Sequence, residues 1–219
     1  MALTKYNYNS FDVTPVASKA LAFNSDADGF TTAAEGSMVL IKTVTASSDS
    51  TISFVDGTSD VVLDNTYPIY LFKFINIHPA SDDQSLKVGF RDGSTAYDAT
   101  KTTTFFRPYH EEDGSAAALN YGAGQDLAQS TAFQMLSFEG SNDNDQAISG
   151  YMYLFDPSST TFVKHFLAET NCSSASDQTV AAYVGGYCNV TAAIDAVQFK
   201  MSSGNMDAGT IKLYGIKDS

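Results

Sequence analysis

Basic residues are scarce in this chain, and their scarcity excludes several classes of partner. Only 12 of its 219 residues are Lys or Arg, against 25 Asp and Glu, and the formal net charge is −13. No cluster of Lys and Arg is present that would neutralise a run of phosphates, so the sequence disfavours nucleic acid. It equally disfavours an anionic membrane surface. The acidity instead predicts solubility and repulsion between copies.

The sequence also lacks long apolar runs. No apolar stretch approaches the roughly 20 residues that are needed to span a bilayer. The first eight residues, MALTKYNY, do not show the charged-then-apolar pattern of a signal peptide. We therefore expect the protein to remain in the cytosol where it is made, or to leave it by a route other than secretion.

Cysteine is too rare to build the sites that it usually builds. Cys172 and Cys188 are the two cysteines of the chain, and two cannot form a disulfide framework. The two cysteines either form one disulfide bond between facing strands or remain buried free thiols, and the second alternative is favoured. A two-cysteine zinc site would need histidine partners, and His165 by itself does not complete a ligand set.

No catalytic signature is evident. The three histidines, His78, His110 and His165, lie outside motifs such as G-x-S-x-G and H-E-x-x-H. His110 is followed by acidic residues, but neighbours in an extended segment point to opposite faces, so a solvated turn is expected there. His165 alternates with apolar residues, which predicts a half-buried position. We expect no enzymatic activity, no catalytic residue and no organic cofactor.

What the chain does contain is typical of β structure. There is no Trp, 43% of the residues are hydrophobic, and short runs with alternating apolar residues are followed by clusters of turn formers. About ten strands are expected at regular spacing, the pattern of a single-domain antiparallel β-sandwich or jelly roll. The predicted strands cover 38–44, 51–55, 69–77, 86–91, 102–106, 133–138, 150–155, 161–167, 179–188, 194–201 and 210–216, with a hairpin loop at 205–209.

Two stretches depart from this pattern. Residues 1–35 are less regular and are predicted to form an N-terminal arm or an edge segment of the same domain, with the sandwich spanning 36–219. After the strand that is expected to end before Pro108, the alternation lapses over 109–130. This second stretch predicts a loop-rich insertion with a helical turn near Ala116 to Leu119.

One segment fits the twelve-residue calcium loop with one substitution. Oxygen-bearing side chains occupy its first, third and fifth positions, Gly29 stands at the sixth, where the loop turns sharply, and a carboxylate closes it at the twelfth. The candidate ligands are Asn24, Asp26, Asp28, Phe30 through its backbone carbonyl, and Glu35. Asn24 replaces the usual Asp, and neither flank has the pattern of a long helix. An ordinary turn is the favoured alternative to this calcium site.

Several stretches carry a resemblance to a known group of proteins. They are FVDG at 54–57, FINIHPA at 74–80, LFDPSSTTFVKHF at 154–166, and FKMSSGN at 199–205 followed by GTIKLYGI at 209–216. These stretches resemble the jelly-roll-type virion structural proteins of marine tailed phages, from about residue 20 to the end. The resemblance implies a virion location after release by lysis. It carries over no site residue, because the group has no established catalytic residues.

The resemblance leaves two roles open. The first is a capsid decoration or cement protein that binds the major capsid protein or other virion proteins and stabilises the expanded head. The second is a tail-associated fibre or adhesin component that binds host-surface glycan, with Tyr109, Tyr121 and Tyr151 as candidate contacts. In either role we expect a homo-oligomer, with a trimer favoured because virion parts are symmetric assemblies.

Overall fold

The computed structural model describes residues 21–23, 30–32 and 36–217, and this part of the chain contains strands and no helix. Alternating buried and exposed positions along the longer strands show why they form, since successive side chains of a strand point to opposite faces. The strands are β1 (Leu21–Phe23), β2 (Phe30–Thr32), β3 (Met38–Thr45), β4 (Ile52–Val55), β5 (Ile69–Pro79), β6 (Leu86–Arg91), β7 (Lys101–Glu111), β8 (Ala117–Tyr121), β9 (Gln134–Met135), β10 (Ile148–Phe155), β11 (Lys164–Ser174), β12 (Gln178–Cys188), β13 (Ala196–Met201) and β14 (Met206–Ile216).

The strands from β3 onward form two sheets. The larger has eight strands in the order β3-β14-β5-β10-β11-β12-β7-β8, and the smaller has four in the order β4-β13-β6-β9. The eight strands of the framework are β3, β4, β5, β6, β9, β10, β13 and β14. When they are renumbered 1 to 8 in chain order, their order is 1-8-3-6 in the larger sheet and 2-7-4-5 in the smaller sheet. This is the strand order of a jelly roll. The expectation of an all-β sandwich of the jelly-roll type is therefore confirmed.

Two hairpins are added to this eight-stranded framework. The β7–β8 hairpin is inserted after β6, and the β11–β12 hairpin after β10. Both join the larger sheet on the far side of β10, through antiparallel pairing of β10 with β11, β11 with β12, and β12 with β7. The insertions thus double the larger sheet from four strands to eight. We call the face of this sheet that points away from the core the outer face.

The core lies between the two sheets. Phe199 in β13 is at the centre of an aromatic cluster, with its ring centroid 5.2 Å from those of Phe72 and Phe74 in β5 and 6.2 Å from that of Phe54 in β4. The rings meet edge to face, the arrangement that their quadrupoles favour. All four side chains are almost completely buried, so this cluster holds the two sheets together.

The chain divides into two compact units, residues 1–38 and residues 39–219. In the described part of the first unit, β1 and β2 form a two-stranded antiparallel hairpin that pairs Leu21 with Thr32 and Phe23 with Phe30. The second unit contains the jelly roll. The prediction that residues 1–35 form an N-terminal arm or an edge segment of the same domain remains a prediction, since much of that segment lies outside the described residues.

The stretch 109–130 differs from its prediction. Strand β7 continues through Pro108 to Glu111 instead of ending before the proline, and 117–121 is a strand instead of a helical turn. The pairing of β7 with β12 omits Arg107 and Pro108 without any change of register. Proline has no N–H to donate, so the ladder between β7 and β12 is interrupted at Pro108 and resumes in the same register on both sides. Pairing with β7 then makes β8 extended despite its alanines.

The last hairpin is also displaced. Strand β14 begins at Met206, within the predicted loop 205–209, and its register with β5 shifts on both sides of Ala208. Gly209 has φ +110 at this irregularity, a conformation that glycine adopts at little cost. Alternation by itself does not reveal such bulges, because the extra residue breaks the period that marks a strand.

Candidate binding surface

The most distinctive surface feature is a row of side chains on the outer face. Cross-strand pairing places one residue from each of six neighbouring strands directly opposite the next. The row runs Tyr121 (β8), Phe106 (β7), Tyr183 (β12), Glu169 (β11), Tyr151 (β10) and Lys73 (β5). We call these six residues the outer row. At about 4.8 Å per strand, the distance from Tyr121 to Tyr151 is about 19 Å.

Aromatic contacts order the outer row. The rings of Phe106 and Tyr183 are stacked with centroids 5.0 Å apart and planes 8° apart. Tyr151 makes an edge-to-face contact with Tyr153, at 5.6 Å and 71°. Such pairs add to the stability that burial provides and restrict the rotamers of the rings. The outer row is therefore an ordered surface.

A carboxylate fixes the hydroxyl of Tyr151. The Tyr151 hydroxyl donates a hydrogen bond to Oε2 of Glu169 over 2.6 Å. This bond, with smaller contributions from desolvation and from the carboxylate charge, raises the pKa of Tyr151 to about 12. Tyr121 is held similarly, since its hydroxyl donates to Oδ2 of Asp126 over 2.7 Å. Both phenols stay protonated at neutral pH, and both carboxylates keep free lone pairs for further donors.

A groove of about 370 Å³ lies along the outer row. It is lined mainly by Phe106, Tyr151, Leu167, Glu169 and Tyr183. Three of these are large side chains with substantial exposure: Leu167 at 53%, Phe106 at 42% and Tyr151 at 37%. A contiguous apolar surface with a few polar groups is typical of a binding site for a ligand or a protein partner.

A second, polar cleft of about 300 Å³ lies where the inserted hairpins extend beyond the core. Arg107 lines it, with its guanidinium carbon 3.3 Å from the centroid of the Phe138 ring. Tyr109 also lines this cleft and packs against the core. Of the three tyrosines named from the sequence, Tyr121 and Tyr151 therefore lie together on the outer face, and Tyr109 lies on the opposite face of the sheet.

Two buried lysines and a buried cysteine lie side by side on three neighbouring strands. Cys188 is paired directly with Lys164 on one side and Lys101 on the other, and all three side chains are buried. Nζ of Lys101 donates to the carbonyl of Ala99 over 2.7 Å, and Nζ of Lys164 donates to that of Val190 over 2.9 Å. Burial lowers the pKa of both lysines and raises that of Cys188 to about 12. A thiol that is buried and protonated is not a nucleophile.

Both cysteines are free and buried, as the sequence favoured. Burial also raises the pKa of Cys172 to about 12. Its sulfur lies 3.7 Å from the carbonyl oxygen of Phe138, to which the thiol donates.

The three histidines lie apart from one another in the fold. Nε2 of His78 is 3.1 Å from the carbonyl oxygen of Asp143, and Nδ1 of His110 is 2.7 Å from that of Glu111. His165 is exposed on the outer face near the ring of Tyr187, with centroids 5.8 Å apart. The prediction of a half-buried His165 is wrong, because Phe166, the apolar residue next to it, points to the opposite face of β11.

The calcium-loop candidate lies mostly outside the described residues. This applies to Asn24, Asp26, Asp28 and Glu35. Phe30 is described: it begins β2, and its ring stacks on that of Phe23 with centroids 5.0 Å apart. Within the described ranges, no group of three or more His, Cys, Asp and Glu side chains is placed to hold a metal ion. Calcium binding at this segment therefore remains a prediction.

Within the same ranges, no helix has the length and apolarity to cross a membrane. Comparisons of the chain with protein-family models, with curated proteins and with solved structures found no match. Sequence reasoning named two members of the outer row, Tyr121 and Tyr151, and missed the others. The available signal was an aromatic residue out of phase with the buried positions of each strand, Phe106 in β7 and Tyr183 in β12.

Proposed function

We propose that this chain is a structural protein of a tailed-phage virion, and that it acts as a capsid decoration protein. Two observations support the proposal. The sequence resembles jelly-roll virion proteins, and the chain folds as a jelly roll whose larger sheet is doubled by inserted hairpins. Jelly rolls occur in viral capsid proteins and in carbohydrate-binding proteins alike, so the role has to be argued from the surface.

The stretches that carry the resemblance contain core residues as well as turn residues. Phe54, Phe74, Phe199 and Leu213 belong to the quoted stretches and are almost completely buried between the sheets. Their shared pattern supports a shared fold, because core positions are selected for packing. Surface residues decide what such a protein binds.

The groove along the outer row carries the proposal. Phe106 and Leu167 expose large apolar side chains on a protein whose net charge is −13. Long-range charge interactions are screened within less than about 10 Å at salt concentrations above 0.1 M. In the high salt of seawater, lasting contact with a capsid lattice would depend on apolar and hydrogen-bonded contacts. The groove supplies both kinds of contact.

The number of copies of the chain in purified virions tests the proposal. Quantitative mass spectrometry would compare it with the major shell protein. A decoration protein is expected near the copy number of the shell protein, and its binding to emptied, expanded capsids should be lost in Leu167→Asp. Phe162→Asp is the matched control, because Phe162 is 71% exposed and is not among the residues that line the groove. A ratio of a few per cent, or absence from the particle, would contradict the decoration role.

A tail-associated adhesin that binds host-surface glycan is the second candidate. The observation that favours it is the arrangement of Phe106, Tyr183, Glu169 and Tyr151, since aromatic rings contact the apolar faces of sugars and carboxylates accept hydrogen bonds from their hydroxyls. The spacing of the outer row is also comparable to that of successive sugar units in an extended glycan.

Binding of the purified protein to intact host cells and to polysaccharide extracted from them tests this second candidate. An adhesin should bind both, and Glu169→Gln should weaken binding at least about tenfold by removing the charged acceptor. Glu112→Gln is the matched control, because this carboxylate is exposed in the β7–β8 turn and is not among the residues that line the groove. Equal binding by wild type and Glu169→Gln would contradict glycan recognition in this groove.

A further inference from the structure

Among the residues that the structure describes, strand β8 is the last strand of the larger sheet and pairs with β7 alone, so its other side is an open edge. Two backbone hydrogen bonds bracket its pairing with β7: Glu111 N–H donates to the carbonyl of Ala116, and Gly122 N–H donates to that of Phe105. Hydrogen-bonded pairs alternate along an antiparallel ladder, so Ala118 and Asn120 bond to β7. The backbone N–H and C=O groups of Ala117, Leu119 and Tyr121 therefore point away from β7, toward the open side of the sheet.

The other edges of the two sheets carry features that discourage pairing. Strand β9 has two residues, β4 has four, and β3 carries Lys42. Short length and lysine are common means of blocking an edge strand. The sequence of β8, Ala-Ala-Leu-Asn-Tyr, has no charged residue and no proline, and all five of its residues are exposed.

The side chains of β8 extend the outer face to this edge. Tyr121 is paired with Phe106 and lies on the outer face with it. Leu119 and Ala117 share that face because they alternate with Tyr121. Leu119 is 68% exposed and Tyr121 is 58% exposed. The edge thus combines available backbone groups with apolar side chains.

We propose that β8 pairs antiparallel with β8 of a second copy of this chain, with Leu119 opposite Leu119 across a two-fold axis. In this register Ala117 faces Tyr121 of the second copy, and the residues whose backbone groups point outward meet one another. The pairing would form about six backbone hydrogen bonds. The contact is self-complementary, as a two-fold interface requires, and it joins the larger sheets of the two copies edge to edge.

Acidic residues at both ends of β8 predict how this pairing responds to salt. Glu111, Glu112 and Asp113 precede the strand, and Asp126 follows it. In an antiparallel pair, the beginning of one β8 lies beside the end of the other, so these carboxylates approach one another. Salt screens their repulsion, and self-association should therefore strengthen as the ionic strength rises.

Sedimentation velocity of the full chain, over a concentration series at low and at high salt, tests the proposal. Wild type is expected to shift from monomer to dimer as the salt concentration rises. Leu119→Lys should weaken the dimer by more than about tenfold, because it places like charges directly opposite one another. Leu167→Lys is the matched control: it makes the same substitution on the outer face of β11, three strands from the edge, and should leave the dimer intact.

Three results would overturn the edge pairing: a wild type that stays monomeric at high salt, a Leu119→Lys variant that dimerises normally, or a dimer that only Leu167→Lys disrupts. The last would place self-association in the groove. Hydrogen exchange provides a check on wild type that needs no variant. The amides of Ala117, Leu119 and Tyr121 should gain protection as the concentration rises, and unchanged exchange at those amides would contradict the proposal. The inference does not depend on a virion role.

Discussion

Replacement of Gly209 by alanine should destabilise the jelly roll far more than the size of a methyl group suggests. Gly209 lies in β14 next to β5, with φ +110. A Cβ atom there would clash with the backbone carbonyl oxygen of Asn76 and would lie 2.7 Å from Cα of Ile77. Both contacts are with backbone, so relief requires the two central strands to separate.

The magnitude follows from two costs. A side chain in the left-handed region costs about 1–2 kcal/mol, and overpacking of a closely packed site costs about 1–3 kcal/mol. We expect Gly209→Ala to lower the free energy of unfolding by about 3 kcal/mol. In a protein of this size, that corresponds to a fall in Tm of about 6–12 °C.

Urea unfolding followed by circular dichroism measures this change. The midpoint should fall while the m-value stays constant, since the surface exposed on unfolding is unchanged. Gly124→Ala is the matched control, because a Cβ at Gly124 has no atom within 4 Å. A difference between the two variants of less than about 0.5 kcal/mol would refute the reasoning about Gly209.

Three further predictions concern the core, the thiols and the outer row. Phe199→Ala should lower the free energy of unfolding, measured by urea unfolding, by about 3–5 kcal/mol. The control is Phe162→Ala at an exposed position, whose free energy of unfolding should lie within about 0.5 kcal/mol of that of wild type. Burial raises the pKa of each thiol from its ordinary value of 9.0 to about 12. The stability that each protonated thiol contributes is therefore present below pH 9 and is lost as the pH rises toward 12. In reducing buffer, the free energy of unfolding should fall between about pH 8 and 10.5 by about 2 kcal/mol less in Cys172→Ala than in wild type. Equal falls in the two proteins would contradict this account. Glu169→Ala should lower the pKa of Tyr151 from about 12 toward 10, as seen by absorbance titration of the phenol, and an unchanged titration would show that Glu169 does not hold the hydroxyl in solution.

The inserted hairpins carry several of the exposed large hydrophobic side chains. Phe106, Leu119, Tyr121 and Leu167 all lie in these hairpins and are exposed. The framework strands carry the aromatic cluster around Phe199 instead. Insertions into loops can vary without disturbing the core, so these hairpins can expose apolar side chains without disturbing the jelly roll.

Much of the strand content could be predicted from the sequence. Strand β6 was predicted with its observed bounds, 86–91, and β12 was predicted within one residue at its start. In both cases the alternation and the turn residues are local properties of the chain. Predictions failed where a neighbour decided the structure: β7 continues through Pro108 because β8 pairs with it there.

The sequence by itself determined the class of fold, through its alternating apolar residues, its turn formers and its shortage of basic side chains. Tertiary structure decided which strands became neighbours, and with them the outer row and the open edge. Tyr121, Phe106, Tyr183, Glu169 and Tyr151 are spread over nearly eighty positions of the chain and meet only because two inserted hairpins join one sheet. Local patterns specify which face of a strand is buried, whereas pairing between distant strands depends on the whole sheet.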